Sequence, residues 1–221
     1  MIGRYGVGAW VLLAALALSG CAPKVVNYDY TAYQAHPPVS ILVLPPVNHS
    51  VDVKARDAYL STVTRPLAEE GYYVFPVWLV DHYLRANGET DGTQIQAIPL
   101  SKLKSVFHPD AVLYTTIDHW GQKYNIVQSD TVVGLSCRLV DTSTGTLLWN
   151  GKINYVKSSD QGGSSSPLAM LISAALTQIF SSASIQGRLA TSEANILLFD
   201  NPNTGLPYGP YNALSKTDAR R

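Results

Sequence analysis

The sequence lacks an excess of charge of either sign. Lysine and arginine together number 16, aspartate and glutamate also number 16, and the four make up 14% of the chain. Proteins that bind nucleic acid or anionic lipid headgroups electrostatically need a surplus of basic residues. The composition therefore argues against both classes. A chain of 221 residues is long enough to bury the core of one domain.

The sequence also lacks the short motifs that carry common enzyme chemistry. It has no His-x-x-x-His or Glu-x-x-His spacing for zinc, no Gly-x-Ser-x-Gly elbow, no phosphate-binding loop and no dinucleotide fingerprint. The glycine-containing stretch at residues 161–166 has no lysine, and we interpret it as a flexible connection. We therefore expect no enzyme, no cofactor and no metal site.

No apolar run is long enough to span a bilayer, which takes about 20 residues. The run from Val7 to Leu18 follows Arg4 and leads into small residues, which is the anatomy of a secretory signal. Its ending, Leu18-Ser19-Gly20-Cys21, resembles the lipobox of bacterial lipoproteins. The alternative is an ordinary signal peptide, or a buried helix, with a chance cysteine.

The lipobox resemblance implies cleavage before Cys21, a diacylglycerol on its sulfur and a fatty acid such as palmitate on its new amino group. Several acyl chains anchor a protein stably, whereas one binds reversibly. Because Ala22 rather than aspartate follows, the sorting rule of such lipoproteins implies the outer membrane. The other cysteine, Cys137, then has no partner for an intrachain disulfide. It shares a predicted strand face with Leu135 and Leu139, so we expect a buried, unreactive thiol.

The order of segments predicts one folded domain with two flanking pieces. We assign residues 1–20 to a lipoprotein signal peptide, 21–38 to a lipidated tether, 39–192 to a single α/β domain and 193–221 to an extended C-terminal tail. Prolines disfavour regular structure in the tether, although its tyrosines have the option of docking on the domain.

Within the domain, buried strands alternate with helices before a hairpin and a final helix. Buried strands are predicted at Val39–Leu44, Tyr72–Phe75 and Ala111–Ile117. Helices are predicted from Asp52 to about Thr64, with a kink or a second helix at Pro66, and at Val77–Ala86, Pro99–Phe107 and Pro167 to about Leu189. Period-two alternation predicts hairpin strands at Thr131–Val140 and Thr146–Lys157.

This order predicts an α/β fold with a three-layer mixed sheet. Its N-terminal βα units are parallel, and its C-terminal antiparallel β-hairpin is followed by a helix. The order, together with Asp141-x-x-x-Gly145-x-Leu147-Leu148-Trp149, resembles the Tol–Pal periplasmic amino-terminal domain, the curli-secretion lipoprotein and lipoprotein activators of peptidoglycan synthases. No long amphipathic hairpins of the kind the curli-secretion lipoprotein uses for its barrel are present, which argues against a pore.

A narrower resemblance is carried by residues 37–48, which read PPVSILVLPPVN, and residues 71–77, which read GYYVFPV. They resemble a family of bacterial lipoproteins first noted as meningococcal surface-antigen candidates. That family has no assigned activity, and its fold is grouped with auxiliary lipoproteins of ABC-type transport. The resemblance covers roughly Ala22 to Leu189 and implies fold and location rather than function.

Several acid and histidine side chains are candidates for a site. Asp118-His119 comes first, because it follows the third strand and ligands bind at the carboxyl ends of strands in open α/β sheets. We predict Asp118 and His119 as ligand-binding residues and no catalytic residue. The other candidates are interpreted as structural: Asp81-His82 within a helix, His108-Pro109-Asp110 before a strand, and His49 alone in a loop.

Two functions remain open. The first is an outer-membrane lipoprotein, facing the periplasm, that serves as a non-enzymatic accessory or scaffold of a transport or secretion assembly. Its partners are the membrane, through the N-terminal lipid, and envelope proteins or further copies of itself. The second is a periplasmic domain that binds a small ligand or glycan, or a cryptic hydrolase, at Asp118 and His119.

Overall fold

A computed structural model describes residues 28–124, 129–158 and 183–220. The predicted signal peptide, the lipidation site at Cys21, the glycine-containing stretch and the first part of the predicted final helix lie outside these ranges. Within them, no helix combines the length and apolar character that crossing a bilayer requires.

The described residues form a mixed sheet and helices on both of its faces. The helices are α1 (Thr31–Ala35), α2 (Lys54–Glu69), α3 (Val77–Ala86), α4 (Gly92–Gln96), α5 (Leu100–Phe107) and α6 (Ala183–Phe199). The strands are β1 (Ser40–Val43), β2 (Val47–Asn48), β3 (Tyr73–Val74), β4 (Ala111–Tyr124), β5 (Ser129–Asp141) and β6 (Leu147–Ser158).

The sheet has the order β3-β1-β4-β5-β6, with β2 added beside β4. β1 pairs in parallel with both β3 and β4, and β2 pairs in parallel with β4. The long strands β4, β5 and β6 are antiparallel to one another. The predicted mixed sheet, with parallel N-terminal units and a C-terminal hairpin followed by a helix, is confirmed.

Two hydrophobic cores make the fold three layers deep. On one face, α2 and α6 pack against the sheet around Tyr59, Leu113, Leu135, Trp149 and Phe199. On the other face, residues of α3, α4 and α5 cover a smaller core with apolar side chains of β1 and β4. Each element turns its apolar stripe inward, which is the condition for a stable layered domain.

Two predicted helix boundaries are wrong in instructive ways. Pro66 does not start a second helix, because it lies in the last turn of one continuous helix that ends at Glu69. A proline there disrupts only the final part of the hydrogen-bond ladder. The stretch around Asp91, where the sequence predicted neither a helix nor a strand, begins α4. The Asp91 side chain accepts hydrogen bonds from the Thr93 and Gln94 backbone amides, which is an N-cap.

The chain ends are packed more closely than the predicted boundaries imply. α6 continues ten residues past Leu189 to Phe199, so the predicted boundary at 192/193 falls inside a helix. Residues 200–220, here called the C-terminal strap, bury Leu206 in the larger core. Residues 28–35, here called the N-terminal segment, include α1 and the fully buried Tyr33. The docking option left open for the tether tyrosines is therefore the one the fold adopts.

Candidate functional site

An open groove lies where β4 runs past the parallel part of the sheet. Its walls are the loop after β2 and the outer face of the far halves of β4, β5 and β6. Its lining residues include two histidines and three carboxylates: His49, Asp52, Asp118, His119 and Asp130. The predicted site residues Asp118 and His119 therefore share one concave surface. They do not follow the end of a strand, as the sequence suggested, but lie in the middle of β4, directly after the residues that pair with β2.

A β-bulge at Asp118 sets which side chains face this groove. The register with β5 shifts between Ile117 and His119, so Asp118 is the extra residue on β4. The shift reverses the alternation that follows it. Trp120 now points into the larger core, where its Nε1 donates to Thr191 Oγ1 at 2.8 Å. His119 is consequently turned out to solvent.

Asp118 is contacted by side chains of β5 and β6. Ser136 Oγ of β5 donates to Asp118 Oδ2 at 2.6 Å, and Lys152 Nζ of β6 lies 3.4 Å from the same oxygen. The Ser136 hydrogen bond is the main cause that lowers the pKa of Asp118, with Lys152 adding to it. Asp118 is therefore an ionised, ion-paired carboxylate at neutral pH, which suits it to binding rather than to proton donation.

His49 joins this groove although the sequence placed it alone in a loop. β2 pairs with Thr116 and Ile117 of β4, and the His49 amide continues the ladder by donating to the Ile117 carbonyl at 2.9 Å. Asn48 orders the loop that follows, accepting from the Ser50 amide and donating to the Asp52 carbonyl, both at 3.0 Å. The sequence signal for a short strand just before His49 was the apolar Val47, which directly follows two prolines.

Asp130 contributes a feature with no sequence signal. Its Oδ1 is buried and has no hydrogen-bond partner within the part of the chain that the structure describes. A buried carboxylate oxygen without a donor is unfavourable by itself. It lies on the groove wall, so a hydroxyl or an amine of a bound molecule is the kind of group that would satisfy it.

The remaining candidates are structural. Asp81 forms ion pairs with Arg56 and Arg85, and Asp110 Oδ2 accepts hydrogen bonds from the Val39 and Ser40 amides. His82 stacks on Trp78, and His108 takes the left-handed conformation that ends α5. These contacts agree with the structural interpretation of both clusters. Cys137 is buried, as predicted, and burial raises its pKa to about 12.

Among its described residues, the groove shows no hydrogen bond between a nucleophile and a histidine base. Ser136 donates directly to Asp118, and no histidine stands between them as in a hydrolase triad. Over the described ranges, no three histidine, cysteine or acidic side chains are placed to hold a metal ion. The arrangement is thus better suited to binding polar groups than to covalent chemistry.

Comparisons with known proteins agree with this fold. The chain is 38% identical over 201 residues to "Putative lipoprotein NMB1124/NMB1162" of Neisseria meningitidis serogroup B (strain ATCC BAA-335 / MC58), covering 90% of this chain and 93% of that protein. The crystal structure of lipoprotein GNA1162 from Neisseria meningitidis has 41% identity and a TM-score of 0.53, over 66% of this chain and all of that one.

A PelC dodecamer from Paraburkholderia phytofirmans is more distant, with 16% identity and a TM-score of 0.44 over 76% of this chain and 88% of that one. The family described as "Putative lipoprotein GNA1162-like" matches residues 28–211. The resemblance to meningococcal lipoproteins is thereby confirmed, and the chain belongs to this family.

Proposed function

We propose that this lipoprotein-family member is anchored through Cys21 in the bacterial outer membrane, faces the periplasm, and serves without catalysis as an accessory or scaffold of an envelope assembly for transport or secretion. Membership of a lipoprotein family supports the lipid anchor, and the lipobox resemblance identifies the anchored residue. No catalytic activity is indicated by the family or by the groove.

The observation that carries this proposal is the short segment between the proposed lipid-bearing Cys21 and the folded domain, here called the leash. Tyr28 is already held on the domain, because its hydroxyl donates to Asn150 Oδ1 and accepts from the Asn150 amide, both at 2.8 Å. Only the residues between Cys21 and Tyr28 remain as leash. Fully extended, they reach at most about 25 Å.

A leash of this length keeps the domain beside the bilayer rather than ranging through the periplasm. Confinement raises the effective concentration of the domain for partners in the same membrane, without any new contact. An enzyme or carrier acting on soluble periplasmic molecules gains nothing from such confinement. A scaffold for membrane-borne proteins gains affinity directly.

The outer face of α3 offers a surface for such contacts. Trp78 is 73% exposed and Leu79 is 52% exposed, one turn before the half-exposed Tyr83. The opposite side of the same helix is buried through Val80 and Leu84. Exposed aromatic and aliphatic side chains grouped on one helix face are typical of protein interaction sites.

The experiment pairs Cys21→Ala with Cys137→Ala as its matched cysteine control. A photo-crosslinking amino acid replaces Trp78 in each background and in the wild type, and crosslinks are mapped by mass spectrometry in intact cells. We expect one membrane-borne protein to crosslink in the wild-type and Cys137→Ala backgrounds, with loss of the crosslink in Cys21→Ala. Unmodified sulfur at Cys21, or equal crosslinking without it, would refute the proposal.

Ligand binding at the groove is the second candidate, favoured by the unpartnered Asp130 oxygen and the convergence of His49 with Asp118 and His119. Glycans and other small polyols supply the hydroxyl donors that such a site needs. The test compares melting shifts induced by a glycan panel in the wild type and in the Asp118→Ala/His119→Ala double variant. Equal shifts in both proteins would remove this groove as the site.

A further inference from the structure

The two ends of the described chain are fastened to each other. Tyr30 of the N-terminal segment donates its hydroxyl to the Gly205 carbonyl of the C-terminal strap at 2.7 Å. The Tyr33 and Tyr72 hydroxyls lie 2.6 Å apart, and Tyr72 donates to the strap carbonyl of Pro207. Tyr30 and Tyr33 are both buried, so the strap holds residues 28–35 against the domain.

The strap is itself attached to the end of α2. The Gly209 amide donates to the Glu70 carbonyl at 2.7 Å, and the Tyr211 amide donates to the Gly71 carbonyl at 3.1 Å. The backbones approach too closely for side chains at either glycine. A Cβ on Gly71 would lie 2.3 Å from the Asn212 amide nitrogen, and one on Gly209 would lie 2.3 Å from the Gly71 oxygen. The attachment therefore depends on the exact course of a few residues.

An unsatisfied carboxyl group is buried at this attachment. Glu70 is only 4% exposed, and its Oε2 has no hydrogen-bond partner within the described ranges. Burial, followed by the negative charge of Asp200, raises the pKa of Glu70 to about 8. Asp218 on the strap and Glu69 on the same helix act in the same direction.

Within the described part of the chain, the cation that faces Glu70 offsets this only in part. Arg220 lowers the pKa of Glu70 by its charge. Its guanidinium group is committed elsewhere, since Nε donates to Asp218 Oδ1 at 2.9 Å and the group lies 5.0 Å from the centre of the Tyr208 ring. Glu70 is thus held in its neutral form at pH 7 inside a contact that an added negative charge would weaken.

We propose that the C-terminal strap is a clasp that holds the N-terminal segment on the domain, and that ionisation of Glu70 loosens this clasp. Release of residues 28–38 requires, besides an open clasp, the loss of the Tyr28 contact with Asn150 on β6, and it would lengthen the leash from about 25 Å to about 60 Å at full extension. This consequence for the leash rests on the proposed anchoring through Cys21. The clasp itself does not.

The direction of the pH effect follows from linkage. A carboxyl group whose pKa is about 8 when closed and 4.5 when exposed favours the closed form fully below pH 4.5. Between these two values the closed-to-open ratio falls by up to about tenfold per pH unit, and it levels off above about pH 8. The clasp is therefore tightest in mild acid and loosest in mild alkali.

Hydrogen exchange of the full chain in detergent, followed by mass spectrometry from pH 5 to 8.5 and corrected for intrinsic rates, tests this. We expect peptides covering residues 28–35 and 203–212 to lose protection together, by up to about tenfold per pH unit, while β4 and β5 stay protected. Glu70→Gln should keep both peptides protected across the range. Asp57→Asn, exposed on the same helix and not among the charges that raise the pKa of Glu70, should retain the wild-type pH dependence.

Tyr30→Phe separates the two halves of the clasp, because it removes only the bond to Gly205. We expect it to lower protection of residues 28–35 at every pH and to leave the strap peptide responding as in the wild type. Protection that is independent of pH in the wild type, or a strap that opens while residues 28–35 stay closed, would overturn the proposal. Exchange does not depend on acylation, so failure here is distinct from failure of the lipid anchor.

Discussion

Trp149 provides the sharpest test of the packing that joins β6, α6 and the C-terminal strap. Its side chain is fully buried, its ring centre lies 5.7 Å from that of Phe199, and its Nε1 donates to the Thr204 carbonyl at 2.9 Å. Gly151, two residues along the same strand, leaves room for the ring. The perturbation is Gly151→Ala, which adds one methyl group at that point.

The core around Gly151 has no free space for the added methyl group. A Cβ at Gly151 would stand 2.4 Å from Trp149 Cζ2, 2.6 Å from Cη2 and 2.9 Å from Leu198 Cδ1. Ordinary carbon contacts are about 3.5–4.0 Å, and overpacking a dense core costs about 1–3 kcal/mol. The indole is held by its hydrogen bond, so we take the upper end. Replacing glycine in a strand returns up to about 1 kcal/mol, leaving a net loss of about 2 kcal/mol.

Gly134→Ala is the matched control on the neighbouring strand. Its Cβ would lie 3.0 Å from Asn154 Oδ1, the end of an exposed side chain that can move, and 3.3 Å from His119. We expect a change within about 0.5 kcal/mol. Urea unfolding followed by tryptophan fluorescence measures both, and a 2 kcal/mol loss lowers the midpoint by about 1 M. Equal midpoints for the two variants would show that Trp149 is not packed as described.

Three further predictions concern single groups. The raised pKa of Glu70 makes the free energy of unfolding of the wild type fall as the pH rises from 4.5 to 8, by at most about 5 kcal/mol. Urea titrations of Glu70→Gln should no longer show this fall, and the same dependence of the unfolding free energy on pH in both proteins would contradict the prediction. Cys137 should not react with a disulfide thiol reagent at pH 8 until urea unfolds the protein, since burial raises its pKa to about 12; rapid native reaction would show access. Thr191→Val leaves the buried Trp120 Nε1 without an acceptor and should lower the melting temperature by the equivalent of about 1–3 kcal/mol, whereas no shift would mean another acceptor takes over.

The elements with strong periodicity were predictable from the sequence alone. α3 spans Val77–Ala86 as predicted, because its apolar positions recur at helical spacing and Asn87-Gly88 follows. The hairpin strands agree to within two residues at each end, since alternation with period two persists from Thr131 to Lys157. In these segments the local pattern and the tertiary packing demand the same structure.

The strand prediction fails where the alternation of apolar and polar residues is interrupted. The third predicted strand was ended at Ile117, but β4 continues to Tyr124. The bulge at Asp118 shifts the alternation by one, so Trp120 falls on the apparent wrong face when the period is read straight through. α6 is a different case. Ala190, Ala194 and Leu198 recur every four residues and were a usable signal for a helix beyond Leu189.

The candidate site was predictable only in part. Asp118 and His119 do line one groove, but they lie in the middle of β4 and not at its carboxyl end, so the general rule for α/β sheets does not account for their position. His49 reaches them only because β2 pairs with β4 across more than sixty residues of sequence. No spacing rule encodes that pairing, because it depends on how the chain turns after Pro45-Pro46.

The length of the leash shows most clearly why tertiary contacts decide what composition cannot. Prolines and tyrosines make residues 22–38 look like a tether, and that interpretation gives the domain a reach of roughly 60 Å. Two hydroxyl contacts, Tyr28 with Asn150 and Tyr30 with Gly205, join positions 122 and 175 residues apart and reduce this reach to about 25 Å. Under the proposed anchoring through Cys21, the distance of the domain from the bilayer is therefore set by its C-terminal half, and substitutions there should alter how the domain meets the proposed membrane partners.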